Sequence, residues 1–304
     1  MSDKFLKNKA NFGTAPVFMT AISTILGAIL YLRFGYAVAH TGFIGAIAII
    51  VLGHLVTIPT AMAVAEIATN RKVEGGGAYY IISRSFGLNI GASIGIALFL
   101  SQAISVAFYV IAFAEAFIPF SNFLIEKLPY LNNYSDLFLN KRIIGLILMT
   151  ILTLIMLTKG ANVGINLLYF VVLILFISLI FFFFGNRVEG FNLSDVNFIT
   201  TIENPDSFFY VFTIIFPAFT GIAAGLGLSG DLENPKKSIP NGTLLATAFG
   251  IIIYILVAIK LVVSASLDDL SSDQLIMSKI AIWGPIIPIG LACAAISSAL
   301  GSIM

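Results

Sequence analysis

Two short segments carry most of the chemistry this chain can offer. Ser23-Thr24-Ile25-Leu26-Gly27 and Phe216-Pro217-Ala218-Phe219-Thr220-Gly221 each place helix-disfavouring residues in the middle of an apolar run. Proline lacks an amide donor and glycine weakens a helix, so backbone groups at each interruption lose their intrahelical partners. A half-helix ending in free carbonyls favours a cation, and one beginning with free amides favours an anion. No Asp, Glu, Lys or Arg lies within either segment. Such a centre would hold ions of both signs on backbone dipoles, each neutralising the other where an unpaired ion is expensive. A third segment, Ala294-Ala295-Ile296-Ser297-Ser298, adds hydroxyl and carbonyl oxygens, which suit a hard cation. A lone serine commonly bonds back to its own helix, so each hydroxyl must be weighed against that simpler role.

Two ionisable residues lie within apolar stretches near these segments. Arg33 follows Thr24 by roughly 13 Å of ideal helix and Glu115 follows Tyr109 by roughly 9 Å, so the two side chains can meet as an ion pair above the level of the breaks. His40 and His54 have no metal-ligand partner at helical spacing and read as structural or interfacial. The single Cys293 excludes an intrachain disulfide and a cysteine metal site. No nucleophile with a base at the same depth and no paired carboxylates are visible, which argues against an enzyme and for no cofactor.

The elements that position these groups follow from composition. Of 304 residues, 59% are hydrophobic and 10% charged, and mean hydropathy is +1.03. Soluble domains carry about 25% charged residues. Runs such as 143–158 and 163–185 are apolar all round, which excludes alternating barrel strands and predicts an all-α integral membrane protein. Grouping the runs by their polar breaks predicts eight helices, at about 15–39, 43–69, 88–118, 141–159, 161–185, 207–229, 241–264 and 284–304. A net charge of +1 without a long basic tract excludes nucleic acid as a partner. Lys4, Lys7, Lys9, Arg71, Lys72, Arg84, Lys159, Lys236 and Lys237 fall on one side of such a layout, and the acidic cluster Asp268, Asp269 and Asp273 on the other. That bias predicts a cytoplasmic amino terminus. No cleavable signal peptide precedes the first span. A single interruption is most simply a kink. Two at mid-depth, five spans apart, are expected of a five-helix unit repeated in inverted topology around a central site, which places a transporter ahead of a channel.

On these residues the chain resembles the cation-chloride cotransporters, a branch of the amino acid-polyamine-organocation superfamily. The likeness is carried by Gly27-Ala28-Ile29-Leu30-Tyr31-Leu32-Arg33, by Glu74 to Ser85 with its Gly75-Gly76-Gly77 core, by Tyr109 to Glu115, by Pro217 to Ala223, and by Ser229 to Pro240. The resemblance implies a LeuT-type inverted-repeat fold with broken helices 1 and 6, in which residues 1–14 are a cytoplasmic segment, 15–185 the first repeat and 207–304 an incomplete second repeat. It also implies an electroneutral symporter coupling sodium to chloride by alternating access, with potassium as a further ion, in a plasma or inner membrane. Sodium would lie between the carbonyls of Ser23 and Leu26, Ala294, and the hydroxyls of Ser297 and Ser298. Chloride would lie on the amides of Gly27, Ala28 and Ile29 and of Gly221, Ile222 and Ala223. Potassium would draw on Thr24, Ile25, Tyr109, Pro217 and Thr220. Thr24 stands where the family has Asn, so that site is either altered or empty. Arg33 and Glu115 would form the external gate. Inorganic ions and lipid are the implied partners, with a homodimer in the full-length protein.

The closest rival is an amino acid permease of the same superfamily. Such proteins usually hold a substrate carboxylate on a Gly-Ser-Gly-like break, where bulky Ile25 and Leu26 here leave less backbone exposed. The repeat core of such a fold has ten to twelve helices and about eight are counted, so the sequence is expected to be a fragment whose apolar flanks leave it unstable or unable to transport alone.

Overall fold

The computed structural model describes residues 12–70 and 75–303. The amino-terminal segment expected over 1–14 falls mostly outside them, as does Glu74. Thirteen α-helices form among the described residues, joined by short 3-10 turns, and no strand does apart from one isolated bridge between Phe12 and Leu232. Among the described residues, six stretches are long and apolar enough to cross a membrane: Thr14–Leu32, Phe34–Asn70, Leu88–Lys127, Phe208–Asp231, Pro235–Val262 and Ile286–Ile303.

Both interrupted segments break their helices. Helix α1 (Thr14–Ile25) stops at Leu26, and α2 (Ala28–Leu32) restarts after Gly27. The stretch Phe208–Asp231, sixth in the predicted order of spans, consists of α8 (Phe208–Ile215), a 3-10 turn over Phe216–Phe219, α9 (Ile222–Leu226) and a second 3-10 turn over Gly227–Asp231. Pro217 lies near the start of that turn, where its missing amide leaves no unmatched partner. Helix α3 (Phe34–Asn70) contains a sharp corner at Gly42, whose φ of 71° separates the expected first and second spans. A side chain at Gly42 would also meet the Phe198 carbonyl at 2.7 Å, so glycine is required by both conformation and space. Helix α4 (Gly77–Phe86) lies between α3 and α5 (Leu88–Lys127), which is followed by the short α6 (Ser135–Leu139).

The structure differs from the sequence reading at the fourth and fifth spans. Instead of two helices at 141–159 and 161–185, one helical run, α7 (Lys141–Phe183), covers both. No proline stands there, and Gly160 and Gly164 are too weak as breakers to end a helix. The two ends of α7 nonetheless pack as separate arms. Leu148 and Leu152 cluster with Ala299 and Leu300, whereas Ser178 lies against Gly290. On a straight helix Leu152 and Ser178 would be about 39 Å apart, while Gly290 and Ala299 are only about 14 Å apart. A single straight rod cannot make both contacts.

The remaining helices are α10 (Pro235–Val262), α11 (Leu267–Ser272), α12 (Ile276–Ile280) and α13 (Ile286–Ile303). The main core gathers α1, α2, the first half of α3, the second arm of α7, α10 and α13. By contrast the outer face of α5, including Ile96, Phe99, Leu100 and Ile104, is open. Exposed apolar surface of this kind is what lipid or neighbouring helices cover in a membrane.

Candidate functional site

The two breaks meet. A side chain built on Gly221 would lie 2.8 Å from the Ile25 amide nitrogen and 3.0 Å from the Ala21 carbonyl, and one on Gly225 would lie 3.0 Å from the Val17 carbonyl. Helix α9 therefore runs antiparallel along α1 with bare glycine backbone between them, the close approach that small residues permit in membranes. This contact sets the carbonyl end of α1 beside the amide end of α9.

Hydroxyls from two other helices reach the carbonyls at the end of α1. Ser298 Oγ, on α13, donates to the Ser23 carbonyl at 3.3 Å, and the Tyr254 hydroxyl, on α10, donates to the Ile25 carbonyl at 2.8 Å. All four residues are buried. A side chain on Gly27 would lie 3.2 Å from Ser298 Oγ, so the bare break lets α13 close on it. Ser297 and Ala294 are fully buried on α13, but the Ser297 hydroxyl donates to the Ala294 carbonyl of its own helix at 3.0 Å. Leu26 is fully buried at the break, and its amide donates to Ile22. Of the five residues expected to hold sodium, Ser23 and Ser298 are joined across helices, and Ala294 and Ser297 are joined within one.

The residues expected around potassium are spread over two environments. Thr24 bonds back to the Thr20 carbonyl at 3.0 Å, and Ile25 carries the Tyr254 hydroxyl. Tyr109 approaches Ser298 and packs with the cluster of Leu148, Leu152, Ala299 and Leu300. Pro217 and Thr220 are exposed, and the Thr220 hydroxyl donates to the Pro217 carbonyl at 2.8 Å. Thr220 lines a separate apolar groove of about 330 Å³ with Thr57, Thr60, Ile222 and Ala223; neither Thr24 nor Tyr109 borders it. Buried in the wall of that groove, the Thr57 hydroxyl has no hydrogen-bond partner among the described residues.

At the two expected chloride positions a glycine precedes a short helix, with extended backbone at Gly27 and helical backbone at Gly221. Gly27 precedes α2 and Gly221 precedes α9; the first turns close by Leu30 donating to Gly27 and Ala224 donating to Gly221. Among the described residues no acceptor meets the amides of Gly27, Ala28 and Ile29, or those of Gly221, Ile222 and Ala223. These are the orphan donors of a helix start, oriented to receive an acceptor.

Arg33 and Glu115 are not paired with each other in this structure. Glu115 accepts from Lys141 at 3.2 Å, and Arg33 makes no ion pair among the described residues. Lys141 opens α7, which packs along α5, so it reaches Glu115 from an adjacent helix while Arg33 stands on the broken one. His54 bonds to the Ile50 carbonyl at 2.7 Å and stacks on Phe219, a structural role. His40 accepts from the Asp206 amide at 2.9 Å, contacts Ser271 at 3.2 Å and stacks on Tyr36, whose hydroxyl bonds to Asp206. That cluster ties the start of α3 to the segment before α8 and to α11. At the rim beyond the spans, Lys279 gives its ammonium to Asp273 at 2.9 Å, which raises the lysine pKa above its usual value.

Sequence reasoning missed Tyr254. Its signal lies in Gly242, Ala246, Gly250 and Tyr254, small residues at four-residue spacing that end in an aromatic hydroxyl.

An all-helical, multi-span chain with two broken helices meeting at buried hydroxyls defines the class: a multi-pass membrane protein with a central paired break. The chain belongs to the amino acid permease family, whose profile matches residues 16–304. Within it, the relatives bear out the resemblance to the cation-chloride cotransporters. The chain is 31% identical to solute carrier family 12 member 1 of Mus musculus, over 95% of this chain and 30% of that protein. It is 36% identical to solute carrier family 12 member 2 of Mus musculus over 80% and 21%, and 28% identical to solute carrier family 12 member 9 of Danio rerio over 95% and 36%. The chain thus spans about a third or less of the length of these relatives.

Proposed function

We propose that this chain is part of the transport core of a secondary active symporter that moves sodium with chloride, without net charge, by alternating access. The observation that carries the reading is the contact of Gly221 with Ile25, which sets the carbonyl end of one half-helix beside the amide end of another. Carbonyl and hydroxyl oxygens there suit a hard cation, and free amides suit an anion. In this reading Ser23, Leu26, Ala294, Ser297 and Ser298 hold sodium, with Ser297 turning from its own helix when the ion arrives. Chloride lies on the amides of Gly27, Ala28 and Ile29 and of Gly221, Ile222 and Ala223. Thr24 weakens any potassium site built from Ile25, Tyr109, Pro217 and Thr220, because it lacks an amide carbonyl. The two halves, 15–185 and 207–304, act as inverted repeats with the amino terminus cytoplasmic. Arg33 and Glu115 close the outer side, Glu115 exchanging Lys141 for Arg33.

The test is radiolabelled sodium uptake into liposomes containing the full-length protein, with chloride replaced by gluconate and potassium present or absent. Uptake that requires chloride, ignores an imposed membrane potential and falls in Ser297→Ala supports the reading. Uptake indifferent to chloride overturns it and turns the search toward amino acids.

A further inference from the structure

We propose that Tyr254 is a positioning residue that ties the two breaks together and fixes the carbonyl end of α1 for its cation. The proposal rests on the cation reading above.

Gly242, Ala246, Gly250 and Tyr254 recur every four residues and so share one face of α10. A side chain on Gly242 would lie 2.6 Å from Val17 Cγ1, and one on Gly250 would lie 2.6 Å from Ile25 Cγ2. The pairs 242 with 17 and 250 with 25 advance in the same direction, so α10 runs parallel to α1 for two turns with its bare glycine backbone against the Val17 and Ile25 side chains. That face ends at Tyr254, fully buried, whose hydroxyl therefore arrives at the last residue of α1 and donates to its carbonyl at 2.8 Å. The Ile25 carbonyl is one of those that no helix amide meets, because the chain leaves the helix at Leu26.

The ring makes the other two contacts. It lies edge-on to Phe219, which ends the 3-10 turn of the sixth break, at 5.0 Å between centroids, and edge-on to Phe34, which opens α3, at 5.0 Å. Phe219 is held in turn against His54. Tyr254 thus grips the inner half of the first broken helix by its hydroxyl, the sixth break by one ring edge, and the start of α3 by the other. With Ser298 on the Ser23 carbonyl, two carbonyls of the α1 terminus are oriented before any ion binds. Pre-orientation of this kind lowers the ordering cost of binding. A hydroxyl at this depth has no water to turn to, so the tether persists unless something replaces it.

The variant is Tyr254→Phe in the full-length protein, which keeps the ring contacts and removes only the hydroxyl. Tyr169→Phe, at a partly exposed position on α7, serves as the control. Hydrogen exchange read by mass spectrometry should rise about threefold or more in peptides covering 20–32 and 216–226, with 168–183 unchanged. Loss of one such hydrogen bond corresponds to about a threefold to tenfold change. The sodium KM in liposomes should rise by a similar factor, and the chloride KM by less than about twofold. Unchanged exchange in both peptides overturns the proposal, and a rise confined to 20–32 overturns the coupling between the breaks. An unchanged sodium KM alongside intact uptake overturns the positioning role. If the wild type takes up no ion, the symport reading fails on its own, and the exchange measurement alone decides the tether.

Discussion

The first and sixth predicted spans are broken at comparable places but held in opposite ways. At the first break the carbonyls of Ser23 and Ile25 are met by hydroxyls from α13 and α10, so distant parts of the chain keep the interruption in shape. At the sixth, the Pro217 carbonyl is met by the amide and hydroxyl of Thr220, three residues on in the same turn. At the first break Ser23, Ile25, Leu26 and Gly27 are buried and Thr24 is half-buried, whereas Pro217 and Thr220 are exposed. A break held from outside keeps its geometry only while the surrounding helices stay in place, so it can respond to their movement. A break that holds itself travels as a unit.

That contrast is sharpest where the breaks touch. Gly221→Leu would drive a side chain into the Ile25 amide and the Ala21 carbonyl, backbone atoms that no rotamer change can clear. We expect the largest effect here, a loss of about 3 kcal/mol or more and collapse of the monodisperse fraction in detergent. Gly13→Ala, at a site with nothing within 4 Å, should leave thermal stability unchanged. Equal melting temperatures for the two variants would break the claim that the breaks pack on each other.

Next in size is Ser298→Ala, which removes the α13 hydroxyl from the Ser23 carbonyl. The sodium KM should rise about tenfold or more while chloride affinity shifts far less, because a hydroxyl can serve as a cation ligand as well as a tether. A matched loss of both affinities would place Ser298 in general packing instead. Ser298→Thr, which keeps the hydroxyl, should recover part of the sodium dependence.

These differences also explain what the sequence could and could not disclose. The breaks were legible because Gly27, Pro217 and Gly221 act on their own backbone within a few residues. The corner at Gly42 was legible as a span boundary for the same reason. Tyr254 was not, since a tyrosine in an apolar run is ordinarily core or interface, and its partner lies 229 residues away. Lys141 pairs with Glu115 because α7 stands beside α5, a neighbour relation that spacing along the chain does not disclose. At α7 the polar Lys159-Gly160 looked like a boundary, yet neither residue forces a helix to end. Ser297 bonding to Ala294 is the local alternative that the sequence already offered for any single serine.

The smallest expected effect separates the self-held break from the tethered one. Thr220→Val removes the hydroxyl that meets the Pro217 carbonyl but keeps the side chain's shape and the amide bond to the same carbonyl. Because the site is exposed, water can replace the lost donor, and the cost should be at most about 1 kcal/mol. Thr220→Ser, which keeps the hydroxyl, should cost less than the valine in a thermal melt. Exchange in 216–226 should rise slightly in the valine variant, with 20–32 unchanged. If Thr220→Val instead loosens 20–32 as much as its own turn, the sixth break is not self-held, and the two interruptions form one cooperative unit.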